Sequence, residues 1–186
     1  MYDEEYVRRL HDFATSWGYN FTCISDTEFK GIDTRPFKLR DRNYWSVMEL
    51  FAHDLGEVLS CGLDTVFVGD LSDLFSFSGH LGMLTDPNND RKSCNGIMRF
   101  PHRPDIWDEY SKDPEKVQRQ YGDEMAYIAS FPHERLDTIY KGQVLSYKCH
   151  VLKGEDTSNA RVVYFHGKPK PRDVGWLDEW PSIKLN

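Results

Sequence analysis

Segments with helical apolar spacing alternate with short, unbroken apolar runs, and this alternation restricts the chain's architecture most. Between residues 5 and 17, Tyr6, Val7, Leu10, Phe13, Ala14 and Trp17 fall on one face at a period near 3.6, predicting an amphipathic helix that Gly18 ends. Phe21 to Ser25 follows as a compact strand run, and residues 26–43 are polar and broken by Gly31 and Pro36, as in a long connection. Helical spacing resumes from Tyr44 to Leu55. Strand-like runs then cover 58–64, 65–68, 81–85, 96–100, 144–147 and 161–165, the first ending in a carboxylate, with the polar DPNNDRK segment read as a loop. Leu71 to Phe75 reads as one helical turn, and 106–110 and 114–129 read as helices, the second opened by Pro114 and Glu115. The expectation is α/β: a mainly parallel sheet flanked by helices, in one domain spanning 1–186, with any ligand held at the carboxyl ends of the strands.

Composition excludes several classes of function. A net charge of −7 gives no basic footprint for nucleic acid, and no apolar run approaches the length of a membrane span. The opening MYDEEYVRRL has no basic or apolar leader, and Cys23, Cys61, Cys94 and Cys149 stand far apart with no C-x-x-C pair. Reduced thiols in a cytoplasmic protein are therefore expected, with neither a zinc site nor a disulfide framework. G-x-S-x-G, the P-loop and G-x-G-x-x-G are all absent, so acyl transfer, NTP hydrolysis and dinucleotide binding lose their usual signatures.

Four places can carry chemistry, and each has a plainer reading beside it. Asp64 follows an apolar run, where a carboxylate can hold a divalent cation or simply cap a turn. The run Val162 to Pro171 delivers His166, then Gly167, then Lys168 and Lys170 on a proline-stiffened loop. Imidazole can ligate a metal there and ammonium groups can neutralise a diphosphate; otherwise this is a basic turn with a structural histidine. The pair Asp123-Glu124 opens a helix over 123–129, as N-terminal charge or as a carboxylate offered to a sugar hydroxyl. Asn95-Gly96 precedes a strand, as a plain turn or as a point where a sugar approaches the backbone.

In order, YWSVMELF, VLSCGLDTVFVGDLSDLF, CNGIMRF, GDEMAYI, GQVLSYKCH and VVYFHGKPKP resemble GT-A-fold glycosyltransferases of bacteria and phages, which are distantly similar to glycogenin and to lipooligosaccharide galactosyltransferases. The resemblance spans nearly the whole chain. It implies a nucleotide-diphospho-sugar donor, commonly UDP-linked, a Mn²⁺ or Mg²⁺ ion bridging its phosphates, and a glycan, protein or other acceptor. The family's Asp-x-Asp motif reads Gly62-Leu63-Asp64 here, so one carboxylate of the pair remains. In its His-x-x-Gly-x-x-Lys-Pro motif, Gly167, Lys170 and Pro171 match, Tyr164 stands at the histidine position, and His166 lies two residues on. A basic position before the Asp-x-Asp strand corresponds to Val47. The family's opening strand has no counterpart before the first helix, which predicts an exposed sheet edge.

By this resemblance Asp64 and His166 hold the metal, Lys168 and Lys170 with Gly167 bind the diphosphate, and Asn95, Gly96 and Asp123 position the donor sugar. Asp123 and Lys170 are the expected catalytic groups. The same departures also suit a non-catalytic descendant that binds a glycan or protein partner. A metal-dependent phosphohydrolase is disfavoured for want of clustered carboxylates or histidines.

Overall fold

The computed structural model describes residues 3–39 and 43–176, so residues 40–42, near the end of the long connection read from the sequence, lie outside them. Helix α1 (Glu4–Ser16) buries Tyr6, Val7, Leu10, Phe13 and Ala14, the face given by their spacing. Two short strands, β1 (Thr22–Ile24) and β2 (Asp33–Arg35), pair in parallel as a separate two-stranded sheet. β2 has two charged residues in three and no apolar run, so the period-2 signal gives no warning of it.

Residues 44–51 wind as a 3-10 helix, capped where Asn43 Oδ1 accepts from Trp45 N at 2.9 Å. Its Glu49 is only 2% exposed, yet its carboxylate accepts the backbone N–H groups of Lys38 and Leu39 at 2.8 and 2.6 Å. The preceding connection is thereby tied to the helix, as a buried charge requires.

β3 (Val58–Cys61) is the edge of a four-stranded sheet ordered β3-β6-β5-β7, with β5 at Gly82–Asp86, β6 at Asn89–Phe100 and β7 at Glu134–Arg135. β4 (Thr65–Phe67), β9 (Val162–Tyr164) and β8 (Val144–Ser146) form a third sheet in that order. Among the described residues three ladders run parallel (β1–β2, β5–β7, β8–β9) and three antiparallel (β3–β6, β5–β6, β4–β9). The α/β class stands, while the pairing is mixed rather than mainly parallel. Part of the reason is the DPNNDRK segment, which is a hairpin and no loop. Asp86 pairs with Asn89 around Pro87-Asn88, and a two-residue turn can only join antiparallel strands.

Helix α2 (Ser72–Phe75) follows β4. α3 (Pro104–Lys112), α4 (Pro114–Tyr121) and α5 (Glu124–Ile128) gather against the 44–51 helix and β6. The helical stretch read over 114–129 is divided at Gly122, whose φ of 80° lies outside the helical range, and a new helix opens at Asp123 as its position suggested. Trp45 stacks on Tyr110 with centroids 5.5 Å apart in a core shared with Met83, Met98 and Phe100. A second core joins α1 to the third sheet through Leu10, Phe13, Val66, Phe67, Val162 and Val163. Short α6 (Leu136–Ile139) completes the elements that frame the site. No described helix is long and apolar enough to cross a membrane.

Candidate functional site

Asp64 lies between β3 and β4, and antiparallel pairing of β4 with β9 sets Thr65 opposite Tyr164. One step beyond that register, Phe165 N donates to Asp64 O at 2.9 Å. The chain leaving β9 therefore passes beside Asp64, although 106 residues separate Asp64 from Lys170. Lys170 Nζ reaches Asp64 Oδ2 at 2.5 Å, with the two side chains 29% and 17% exposed. Two mostly buried opposite charges at this distance neutralise one another. Lys170 is held from behind as well, because its N–H donates to Asp173 Oδ2 at 2.9 Å and Pro171 opens the following 3-10 turn. Arg172 then bonds Asp3 and Glu5, fastening this turn to α1.

Gly62, the other end of the reduced carboxylate motif, bears directly on the geometry. A Cβ built there would meet Asp64 Oδ1 at 2.9 Å. Asp64 thus folds back over the space that a side chain at 62 would take, and this places its other oxygen on Lys170.

β9 ends at Tyr164, so His166 is not carried by a continuing strand. The two rings nevertheless remain neighbours, with centroids 6.0 Å apart. His166 Nε2 lies 2.9 Å from Ser146 Oγ and 3.7 Å from Cys149 Sγ, both delivered by the end of β8 and the turn after it. Burial is the main cause that holds the His166 imidazole below its usual pKa; Lys148 adds to the effect, and Asp86 and Asp64 oppose it. Tyr164, at the position where the family has a histidine, is 5% exposed and its phenol is pushed far above its ordinary range by burial.

Tyr164 also explains Gly96. A Cβ at 96 would stand 3.0 Å from the Tyr164 ring, so the absence of a side chain lets β6 lie against that ring. Next to it, Asn95 Nδ2 donates to Glu124 Oε1 at 3.1 Å. Asp123 Oδ1 is used as the N-cap of α5, accepting from Ala126 N at 2.7 Å. Of the adjacent acids Asp123 and Glu124, it is Glu124 that joins Asn95. Glu124 is 7% exposed, and burial raises its carboxyl pKa. A capping signal is legible at Asp123, whereas the partnership of Glu124 depends on β6 arriving beside α5.

Gly167 and Lys168 are exposed, and Gly167 takes a φ of 66° that turns the chain between His166 and Lys170. The structure thus brings Asp64 to Lys170, His166 and Gly96 each to Tyr164, and Asn95 to Glu124, while Lys168 is exposed to solvent. Val47 sits half-buried on the 44–51 helix.

Among the described residues no three His, Cys, Asp or Glu side chains gather as a metal site. Asp64 and His166 supply one oxygen donor and one nitrogen donor. A hard divalent ion is commonly held by one or two carboxylates, with diphosphate and water oxygens completing the shell, and an ion held here would depend on such oxygens for most of its ligands. Lys170 occupies the Asp64 oxygen that such an ion would need.

The helix-flanked mixed α/β architecture is that of the GT-A glycosyltransferase fold, and here Asp64 follows the edge strand β3 with the turn bearing Lys170 returning to it. In particular, the chain superposes on the galactosyltransferase LgtC, solved in complex with donor and acceptor sugar analogs, with a TM-score of 0.61 over 97% of this chain and 92% of that one at 11% identity. It also matches the glycosyltransferase GlyE of Streptococcus pneumoniae TIGR4 with a TM-score of 0.64 at 14% identity, covering 97% of this chain and 62% of GlyE. No family model matches the chain, and no curated protein matches it by sequence. At such identities the likeness establishes the fold alone.

Proposed function

We propose that this single domain transfers a sugar from a nucleotide-diphospho-sugar, UDP-linked, to a glycan, protein or other acceptor. The observation that carries the reading is the meeting of Asp64 and Lys170 at 2.5 Å, in a fold superposable on two glycosyltransferases. Lys170 stands where an ammonium group can swing from Asp64 to a diphosphate, and Lys168 on the same exposed turn adds a second positive charge. Both act on the negative charge that grows on the leaving group as the sugar–phosphate bond breaks, the electron pair staying with the diphosphate. Asp64 and His166 would hold a Mn²⁺ or Mg²⁺ ion, which supplies further charge neutralisation at the phosphates when bound. Asn95, Gly96 and Asp123 form the sugar side, with Glu124 fixing the Asn95 amide.

UDP with Mn²⁺ should raise the melting temperature, and UDP-sugar turnover should disappear in Asp64→Ala. No shift with any of several nucleotides and metals would overturn this reading.

One observation favours a second function, a non-catalytic protein that uses the fold to bind a glycan or protein partner. Gly62 replaces one motif carboxylate, and Lys170 already satisfies the other. Metal-dependent UDP-sugar hydrolysis that is lost with Asp64 would rule this out.

A further inference from the structure

We infer that Lys148 is a further cation of the anion site, and that with Lys170 it makes the site select two linked phosphates over one, an inference that rests on the diphosphate reading above. The order of the third sheet, β4-β9-β8, decides where the charges stand. β9 is central and ends at Tyr164, so His166 leaves from the middle of the sheet. On one side lies β4, antiparallel to β9, and Asp64 just before it holds Lys170. On the other side β8 runs parallel to β9, with Ser146 opposite Tyr164. The two chains stay together past that register: Tyr147 N donates to Tyr164 O at 3.0 Å, and the Tyr147 and Phe165 rings stack with centroids 4.4 Å apart. The chain then turns, His150 N donating to Ser146 O at 3.0 Å. Within this turn Ser146 Oγ and Cys149 Sγ both reach His166 Nε2. Lys148 stands between those two residues in the turn and is exposed. Its positive charge acts on the His166 imidazole, as does that of Lys170.

Lys170 and Lys148 therefore flank His166 from opposite sides, at the carboxyl ends of the two parallel strands, where ligands of α/β sheets bind. Neighbouring strands stand about 4.8 Å apart, so two such spacings separate the backbone at Asp64 from the backbone at the end of β8. A single phosphate placed at Lys170 leaves Lys148 unused. Two phosphates joined through an oxygen extend across the end of β9 toward both ammonium groups. Among the described residues Lys148 makes no ion pair, so its charge is open to an incoming anion. The carboxylates that act at this corner are already engaged: Asp64 faces Lys170, and Asp86 Oδ1 accepts the Asn88 N–H at 2.8 Å. A lysine is a compact charge on a flexible stem, which suits a role of following one phosphate while Lys170 holds the other. No motif marks Lys148 in the sequence, because its place depends on β8 lying beside β9.

The test is calorimetric titration of the full chain with inorganic pyrophosphate and with orthophosphate, in buffer containing Mg²⁺. The native chain should bind pyrophosphate at least about tenfold more tightly than orthophosphate, the size of one charge-assisted hydrogen bond. Lys148→Gln should weaken pyrophosphate binding by about tenfold and orthophosphate binding by less than about twofold. Lys148→Arg keeps the charge and should stay within about threefold of the native affinity. Lys153→Gln removes an equal charge from an exposed position just beyond the turn and should change neither affinity. Because Lys148 is exposed, Lys148→Gln should melt within about 1 °C of the native chain, so a loss of binding is not a loss of fold. Unchanged pyrophosphate affinity in Lys148→Gln would overturn the proposal. So would an equal loss for both anions, an equal loss in Lys153→Gln, or a native chain that binds no pyrophosphate. UDP is titrated in parallel to separate the two readings. Pyrophosphate binding that depends on Lys148, with no binding of UDP, overturns the transferase reading and supports this one; UDP binding indifferent to Lys148→Gln does the reverse.

Discussion

Replacing Lys170 by methionine tests the ion pair at the centre of the site, because the stem stays and only the charge is lost. At a dielectric near 20, two unit charges 4 Å apart attract by about 4 kcal/mol, and desolvation of both groups takes back part of this. Exposed pairs are worth about 0.2–1 kcal/mol, whereas truncating one partner of a fully buried pair costs about 3–5 kcal/mol. With side chains 29% and 17% exposed, Lys170 and Asp64 fall between these limits. The expected cost of Lys170→Met is about 2 kcal/mol, since the mostly buried carboxylate of Asp64 loses the ammonium group that faces it. For a chain of 186 residues this lowers Tm by about 4–8 °C. Asp64→Asn should cost less, about 1 kcal/mol, because the partly exposed lysine head can extend toward water. The double variant should then be no worse than Lys170→Met alone, giving a coupling energy above about 1 kcal/mol by calorimetry or urea titration. A coupling below about 0.3 kcal/mol, with Lys170→Met melting within about 1 °C of the native chain, would refute the argument from distance and burial.

Other positions respond in distinct ways. Gly96→Ala puts a methyl group 3.0 Å from the Tyr164 ring and should destabilise by about 1–3 kcal/mol in chemical denaturation, a penalty relieved in a Tyr164→Leu background. Asp123→Ala removes the N-cap of α5 and should cost about 1 kcal/mol, measured the same way, with Asp123→Asn close to neutral. Because burial lowers the folded His166 pKa below 6.5, the unfolded chain takes up this proton more readily. The stability His166 contributes is therefore present above about pH 6.5 and is lost as pH falls below it, until the folded group also protonates. Melting curves from pH 7.5 to 5.5 should show a smaller decline in His166→Asn. The Cys61 thiol, pushed up to about 12 by burial and by Asp64, should alkylate slowly at pH 8 in the native chain and readily in urea, read by mass spectrometry.

Local periodicity determined much of the fold from the chain alone. The apolar face of α1, the runs that become β3, β4, β8 and β9, and the cap at Asp123 all depend on residues within one turn or one pleat of each other. The order of motifs likewise carried the GT-A fold. Strand direction was not local, since the DPNNDRK segment gives the same polarity signal whether it loops out or turns tightly into a hairpin. β2, polar and three residues long, exists only because β1 lies beside it. The site followed the same division. Asp64, His166 and Lys170 stood out by residue type and position, but three facts needed the tertiary structure: Lys170 closes on Asp64, Glu124 rather than Asp123 meets Asn95, and Gly96 makes room for Tyr164. Each of these is a contact between residues at least 29 positions apart, set by which strands pair and in what register. Spacing along a chain reports the face a side chain takes, and only the packed sheets decide what stands opposite it.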